Sequence, residues 1–378
     1  MKLLNKLLFF QIFIFLFPLF SQNVEDMLTS EDSVEGFRPY LKIGIKVDVS
    51  SFVVEGDAEV LDETGKTAAS IQGKYTVSVD GNLIKVGSQT LNSKMIKFSP
   101  KIMMIKIDGR MFRGEIEAWL IDGKMTIVND LFIEDYVRGV INKEAIPSWP
   151  LEAKKTQAVL ARTFAVYQKM NNPRSDKFDL APSVLDQVYD GLDKEDVSSN
   201  KAVDETKGEV ITKGSIALKI YFHSTCGGHT ASSLEVWKKD DPHETGVKCP
   251  YCGKSSLYRW KRVLKADEIE KKLSSGGIKT GKIKSVKAVS GGLRVSSVAV
   301  NGISIPVNKF RELVGFSVIW SNDFTVKKDG KNLIFEGKGA GHGVGVCQWG
   351  MAGMAGAGKN YKDIINFYLK DIEIRKMY

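Results

Sequence analysis

The chain has 378 residues, 43% of them apolar, 26% charged and 10% aromatic, with a formal net charge of +9. These proportions exclude wholesale disorder, and the length allows two domains or one large elaborated one. The basic balance suits anionic polymers such as cell-wall carbohydrate or a membrane surface, or simply a solvated mixed-charge exterior. Nucleic acid is not the expected partner, because no Lys/Arg run is interleaved with stacking aromatics.

Lys2 and Lys6 precede an apolar run over 7–20, LLFFQIFIFLFPLF, with Pro18 near its end. A positive start and an apolar stretch of this length read as an export signal. Leu19 and Phe20 are not the small residues a cleavage site needs, so residues 1–21 are either a signal peptide or an uncleaved N-terminal anchor. Both readings place the rest of the chain outside the cytoplasm, in the periplasm or cell envelope. Contact with a membrane would then come only through that segment. Residues 22–40 are polar and acidic and read as a linker.

From 41 to 132 the text is short alternating runs broken by Gly, Asp and Asn, with DGN and IDGK as hairpin turns. The next part, 133–258, holds INKEAIPSWPLEAKKTQAVLARTFAVYQKM, in which a helix is expected over 150–170. Pro150 fits its first turn and Ser148 or Trp149 its cap. Glu144 lies one short turn ahead of that helix. Projected at 100° per residue, Leu151, Ala158, Arg162 and Ala165 share a narrow stripe, edged by Ala161 and Val166. An arginine there is unusual, since an unpaired buried charge is costly. A helix-dipole carboxylate and a snorkelling arginine would account for both residues without any chemistry. Strands resume near Val210. The last part, 259–378, reads as a β-rich insertion with a helix around 264–273, then a glycine-rich block and a closing helix and strand over 363–374. The expected fold is α+β, with β-rich segments packed around the Glu144 helix and the glycine block lining a cleft.

Two clusters carry further chemistry. Cys226-x2-His229 and Cys249-x2-Cys252 are ligand pairs separated by about twenty residues, the spacing tetrahedral zinc requires. His223 and His243 are substitutes for His229. A disulfide is the rival reading in an exported protein. Three cysteines beside a histidine favour a metal, and a site with four protein ligands would be structural. The glycine-dense block from 337 sets His342, Gln348 and Trp349 among residues that allow close backbone approach. It can be a tight loop and no more, or a sugar-binding wall in which an indole stacks on a ring and an amide reads hydroxyls. Cys347 reads as a small packed residue.

Three blocks in order, IEDYVRGVINKEAIPSWPLEAKKTQAVLARTFA, YFHSTCGGHT with a later Trp237, and GAGHGVGVCQWGMAGMAGAGKNYKDIINFYL, resemble the stage II sporulation protein D family. That family also contains amidase-enhancer (LytB-like) proteins, and the resemblance covers roughly Leu41 to Tyr378. It implies a lytic transglycosylase acting on peptidoglycan glycan strands, particularly strands stripped of stem peptides. Its products would carry 1,6-anhydro-N-acetylmuramic acid ends. The family's catalytic glutamate carries over to Glu144, and the reaction needs no cofactor. Arg162, Gln187 and Tyr189, with Ser224 and Thr225 of the middle block and His342, Gln348 and Trp349 of the glycine block, are the substrate contacts it suggests. Some relatives bind zinc near the middle block, in keeping with a structural zinc on Cys226, His229, Cys249 and Cys252. Two departures bear on substrate contacts rather than on Glu144. SVLDQVY stands where relatives often carry Cys and His before the Gln, and Cys347 stands where Ser is usual.

The alternative from another class is a non-catalytic wall-binding protein that localises or stimulates a cell-wall amidase. A zinc hydrolase using His223, His229 and Cys226 is a third reading. The Cys-rich set leaves it no open coordination position. Glu134, Asp135 and Glu152 are the carboxylates from which a hydrolase would need a second member.

Overall fold

The computed structural model describes residues 37–181, 189 and 191–378. The segment read as signal or anchor and nearly all of the linker lie outside the described residues, as does Gln187. Among the described residues no helix is long and apolar enough to cross a membrane.

The fold is α+β. Tyr40 to Phe132 forms a ten-stranded antiparallel sheet in which the first strand, Tyr40–Val49, pairs with the last, Lys124–Phe132. Its text alternates because one face of each strand is buried: Phe52, Val54, Val77, Ile84, Phe98, Ile116 and Ile127 fill its interior. The IDGK turn is a two-residue hairpin in which Asp122 (φ 49°) and Gly123 (φ 75°) both take the left-handed conformation a type I′ turn requires.

The chain leaves this sheet directly into a helix that the sequence reading did not anticipate, α1 (Ile133–Glu144). Ile133, Tyr136, Val137, Val140 and Ile141 recur at helical spacing and are all buried. A turn through Pro147 and Pro150 leads into α2 (Leu151–Asn171). Pro150 itself takes the cap position expected of Ser148 or Trp149, and no side chain caps this end. α2 is the central helix, buried on most sides, which explains its alanines. α1 and α3 (Val197–Asp204) pack on it from one side. The C-terminal helices α7 (Gln348–Gly356) and α8 (Tyr361–Tyr368) pack on it from another.

After the short α4 (Ser233–Trp237) and the CPYC loop, a separate unit begins. Strands Arg259–Lys265, Asn332–Lys338 and Phe324–Asp329 form one sheet, and Val286–Ser290, Val295–Val300 and Ile303–Pro306 another. With α5 (Ala266–Ser275) and α6 (Val307–Val314) they enclose their own core around Trp260, Val298, Phe310 and Phe335. The chain then returns to the first body. Val346–Cys347 pairs in parallel with Phe222–His223. α7 (Gln348–Gly356) and α8 (Tyr361–Tyr368) follow, and Glu373–Lys376 pairs with Glu209–Lys213.

Candidate active site and cysteine cluster

Glu144 is the last residue of α1 and half-buried. Ala145 leaves the helix in extended backbone (φ −118°, ψ 138°), so the carboxylate sits at the carbonyl end, where the helix dipole opposes negative charge. A helix leaves its final carbonyls without intrahelical partners. Gln348, the first residue of α7, answers that need: its Nε2 donates to Glu144 O at 2.9 Å and reaches Glu144 Oε2 at 3.2 Å. The same nitrogen lies 3.4 Å from Gln157 Oε1, on α2. One buried amide thus ties the end of α1, its carboxylate and the middle of α2 together. Beside it, Trp149 of the Pro–Trp turn meets Trp349 edge to face, with centroids 5.5 Å apart and ring planes at 73°.

The short parallel ladder explains how Gln348 arrives. Phe222 pairs with Val346 and His223 with Cys347, so the residues that follow each strand emerge side by side. The Trp349 amide donates to Ser224 O at 3.0 Å. Gly345 makes the approach feasible: it holds φ 71°, and a Cβ there would lie 2.1 Å from Tyr221 O.

Cysteines that follow the first of these strands and end the second build a second feature. Cys226, Cys249, Cys252 and Cys347 are buried, none is in a disulfide, and their sulfurs lie within 4.8 Å of one another. They are all the cysteines the chain has. This buried set can hold a metal ion. It corrects the expected ligand set in one member. His229 turns its Nδ1 to Thr230 O at 2.5 Å, and the fourth sulfur comes from Cys347, expected only as packing.

The other expected residues divide. Gln348 is brought to Glu144, Trp349 to Trp149, and the Ser224 carbonyl to the Trp349 amide. Thr225 is buried and its Oγ1 pairs with Ser255 Oγ at 2.8 Å. Arg162 is corrected outright as a contact: it is fully buried and forks onto Glu134, Nη2 to Oε2 at 2.6 Å and Nε to Oε1 at 3.0 Å. Its Nη1 also donates to Glu209 O at 3.0 Å. The apolar stripe hosts an arginine because the partner carboxylate is buried with it. Tyr189 packs on Tyr136 and Phe112 and donates to Asn129 Oδ1 at 2.8 Å, and burial raises its hydroxyl pKa. His342 joins an aromatic group with Tyr221, His223 and Trp237. Its Nδ1 accepts from Val344 N–H and its Nε2–H faces Phe222 O at 2.9 Å; burial lowers its pKa to about 4, so the ring is neutral at neutral pH.

The carboxylates offered as a second catalytic group are committed elsewhere. Glu134 holds Arg162, Asp135 accepts from Arg138, and Glu152 pairs with Lys155 and accepts from Tyr361 N–H. Sequence reasoning missed Gln157 and the pairing of Trp149 with Trp349. A glutamine among the alanines of the expected helix was the available signal for Gln157.

Comparison with known proteins identifies the family. The family model described as "Stage II sporulation protein" matches residues 121–212, from the last hairpin of the sheet through α1 and α2. A second, "Domain of unknown function (DUF8618)", matches 251–345, which spans the separate unit. The chain is 35% identical to an uncharacterized protein of Brachyspira hyodysenteriae, over 71% of this chain and 73% of that one. It is 30% identical to the stage II sporulation protein D of Bacillus subtilis, over 65% of this chain and 75% of the relative. To the amidase enhancer of Bacillus subtilis it is 25% identical, over 92% of this chain and 57% of the longer relative. The chain belongs to the stage II sporulation protein D family.

Proposed function

We propose that the protein is a lytic transglycosylase of the cell envelope that cleaves the bond between N-acetylmuramic acid and N-acetylglucosamine in peptide-stripped glycan strands. The observation that carries the reading is the Gln348 amide on Glu144, delivered from a segment 204 residues away to the end of α1. In this scheme Glu144 as the neutral acid protonates the glycosidic oxygen. As carboxylate it then takes the proton from the muramyl 6-hydroxyl, whose oxygen closes the 1,6-anhydro ring. Gln348 donates to Oε2 of that carboxylate and so fixes its orientation. Trp149 and Trp349 offer apolar faces against which a sugar ring can pack. The commitment of Glu134, Asp135 and Glu152 to ion pairs supports a one-carboxylate reaction over hydrolysis, which normally uses two.

The test is to incubate the purified full-length protein, beside Glu144→Gln, with peptide-free glycan strands and to read the ends by mass spectrometry. Anhydromuramyl ends from the wild type alone are the expected result. Hydrated reducing ends would mean a hydrolase, and the reading would fall. A second reading, a wall-binding protein that stimulates an amidase, is favoured by the similarity to the amidase enhancer across nearly the whole chain. A folded wild type that cleaves nothing but raises amidase activity on whole walls would select it.

A further inference from the structure

The four cysteines reach one point from three separate stretches of chain, and one of them, Cys347, is bonded directly to Gln348. We infer that they bind a zinc ion through Cys226, Cys249, Cys252 and Cys347, and that this ion is the clasp that sets Gln348 on Glu144. The metal half stands on the cluster alone. The positioning half rests on the catalytic reading of Glu144 given above.

Geometry and chemistry both fit the ion. Tetrahedral Zn–S bonds of about 2.3 Å put sulfurs roughly 3.8 Å apart. Cys226 Sγ and Cys252 Sγ already lie 3.5 Å apart, and no pair in the set exceeds 4.8 Å. Soft thiolates in a closed set of four select zinc over hard cations. Binding replaces four thiol protons with one Zn2+ and leaves a net −2 centre in the interior, which needs donors. They are present. Cys347 Sγ receives Cys226 N–H at 3.2 Å and Gly350 N–H at 3.3 Å, the latter from the first turn of α7. Tyr368 OH lies 3.1 Å from Cys249 Sγ. The buried guanidinium of Arg294 donates to Cys226 O and His229 O, placing a positive charge against the knuckle.

Position follows from connectivity. Cys226 lies two residues beyond Ser224, whose carbonyl holds Trp349, and Cys347 caps α7, whose first residue is Gln348. An ion that joins Cys226 to Cys347 therefore locks the two emerging strand ends. The CPYC loop contributes the remaining two ligands and abuts α7, where a Cβ on Gly353 would lie 2.2 Å from Tyr251 O. Nothing else in the chain covalently constrains this junction, since no disulfide is formed.

The test has two arms. Metal analysis of the purified protein should give one zinc per chain, retained in His229→Ala and lost in Cys347→Ser. Zinc kept by Cys347→Ser but lost from His229→Ala would overturn the ligand set. Iron in its place, or no metal with fewer than four titratable thiols, would overturn the ion. The second arm uses Cys347→His, since three cysteines and a histidine hold zinc as well as four cysteines do. The longer imidazole pushes the ion away from the 347 backbone and so shifts Gln348. Zinc content and melting temperature should stay near wild type while kcat for anhydromuramyl formation falls roughly 10- to 100-fold with KM unchanged, the scale of a misplacement of about 1 Å. Adding Gln348→Ala to Cys347→His should then cost little more, because the two act through one contact. A wild-type kcat in Cys347→His would overturn the clasp. If the wild type cleaves no glycan, the clasp falls with the catalytic reading, while the metal arm still reports on the ion by itself.

Discussion

A carboxylate with an oxygen left unpartnered in the interior is costly as a charge, and Glu244 is so placed. Its Oε1 accepts from Tyr221 N–H at 3.1 Å, while its Oε2 has no partner among the described residues. Burial raises its pKa from an ordinary 4.5 to about 8; the Tyr221 hydrogen bond opposes the rise and the charge of Asp241 adds to it. The folded state therefore holds a proton that the unfolded chain releases. The stability this gives is complete below pH 4.5 and is lost as pH rises to about 8. His223 and His342 run the other way. Burial pushes both below 6.5, so their contribution is present above that pH and lost as pH falls. Between pH 6.5 and 8 the Cys249 and Cys252 thiols, held below their ordinary pKa by the neighbouring sulfurs, add stability as pH rises, so the Glu244 contribution is read as a difference between two proteins. Urea unfolding should show Glu244→Gln gaining stability relative to the wild type across this range by up to about 1.4 kcal/mol per pH unit. Equal slopes in the two proteins would contradict the assignment.

At the scale of elements, the site depends on how closely α7 can approach its neighbours. A Cβ on Gly350 would stand 2.0 Å from Tyr368 OH and 2.8 Å from Cys249 Sγ, with the backbone of α7 fixed on both sides. Gly350→Ala gains helix propensity but overpacks this contact, which typically costs 1–3 kcal/mol. We expect a lower melting temperature together with weaker metal retention, read by calorimetry and by zinc competition with a chelating dye. A more stable variant would mean that α7 can slide. The glycine block was legible in sequence as a place of close approach, but its target was not, because the Tyr368 hydroxyl and the Cys249 sulfur come from distant stretches. The same limit hid Cys347. Two knuckles could be read from local spacing, while a lone cysteine 95 residues past the second knuckle could be placed only by the return of the chain after the inserted unit. α1 is a different case. Its apolar residues at 133, 136, 137, 140 and 141 follow the helical period, but Ile, Val and Tyr also suit strands, and a strand immediately precedes them. Arg162 signalled a buried partner through its place on an apolar stripe, although its pairing with Glu134 depends on the packing of α1 against α2.

For the whole molecule, the unit between the CPYC loop and the glycine block reads as an insertion into a body that closes without it. Its first and last strands pair with each other, Arg259 opposite Lys338, and Gly339 N–H donates to Tyr258 O at 3.2 Å. The ends that enter and leave it are therefore neighbours, and a short link can replace what lies between at little entropic cost. Its core is its own, built from Trp260, Val298, Phe310, Phe335 and their neighbours. What the excision removes from the rest is a set of polar ties, among them Trp260 Nε1–H on Gly339 O and Arg294 N–H on Glu235 Oε1. Arg294 no longer reaches Cys226 O and His229 O, and Trp320 O no longer accepts from Gly341 N–H. Hydrogen bonds from a charged donor are worth about 1.5–3 kcal/mol, and a kcal/mol shifts the melting temperature of a body this size by about 2–4 °C. Replacing 260–337 with a short Gly/Ser link should thus leave a folded, monodisperse protein that melts several degrees lower. All four cysteines, Glu144 and Gln348 lie outside the deleted stretch, so the proposed metal binding and glycan cleavage should persist. A chain that aggregates on excision would mean that the separate core is a required part of the fold. A chain that folds and keeps its metal but loses cleavage would instead assign the inserted unit to holding the glycan.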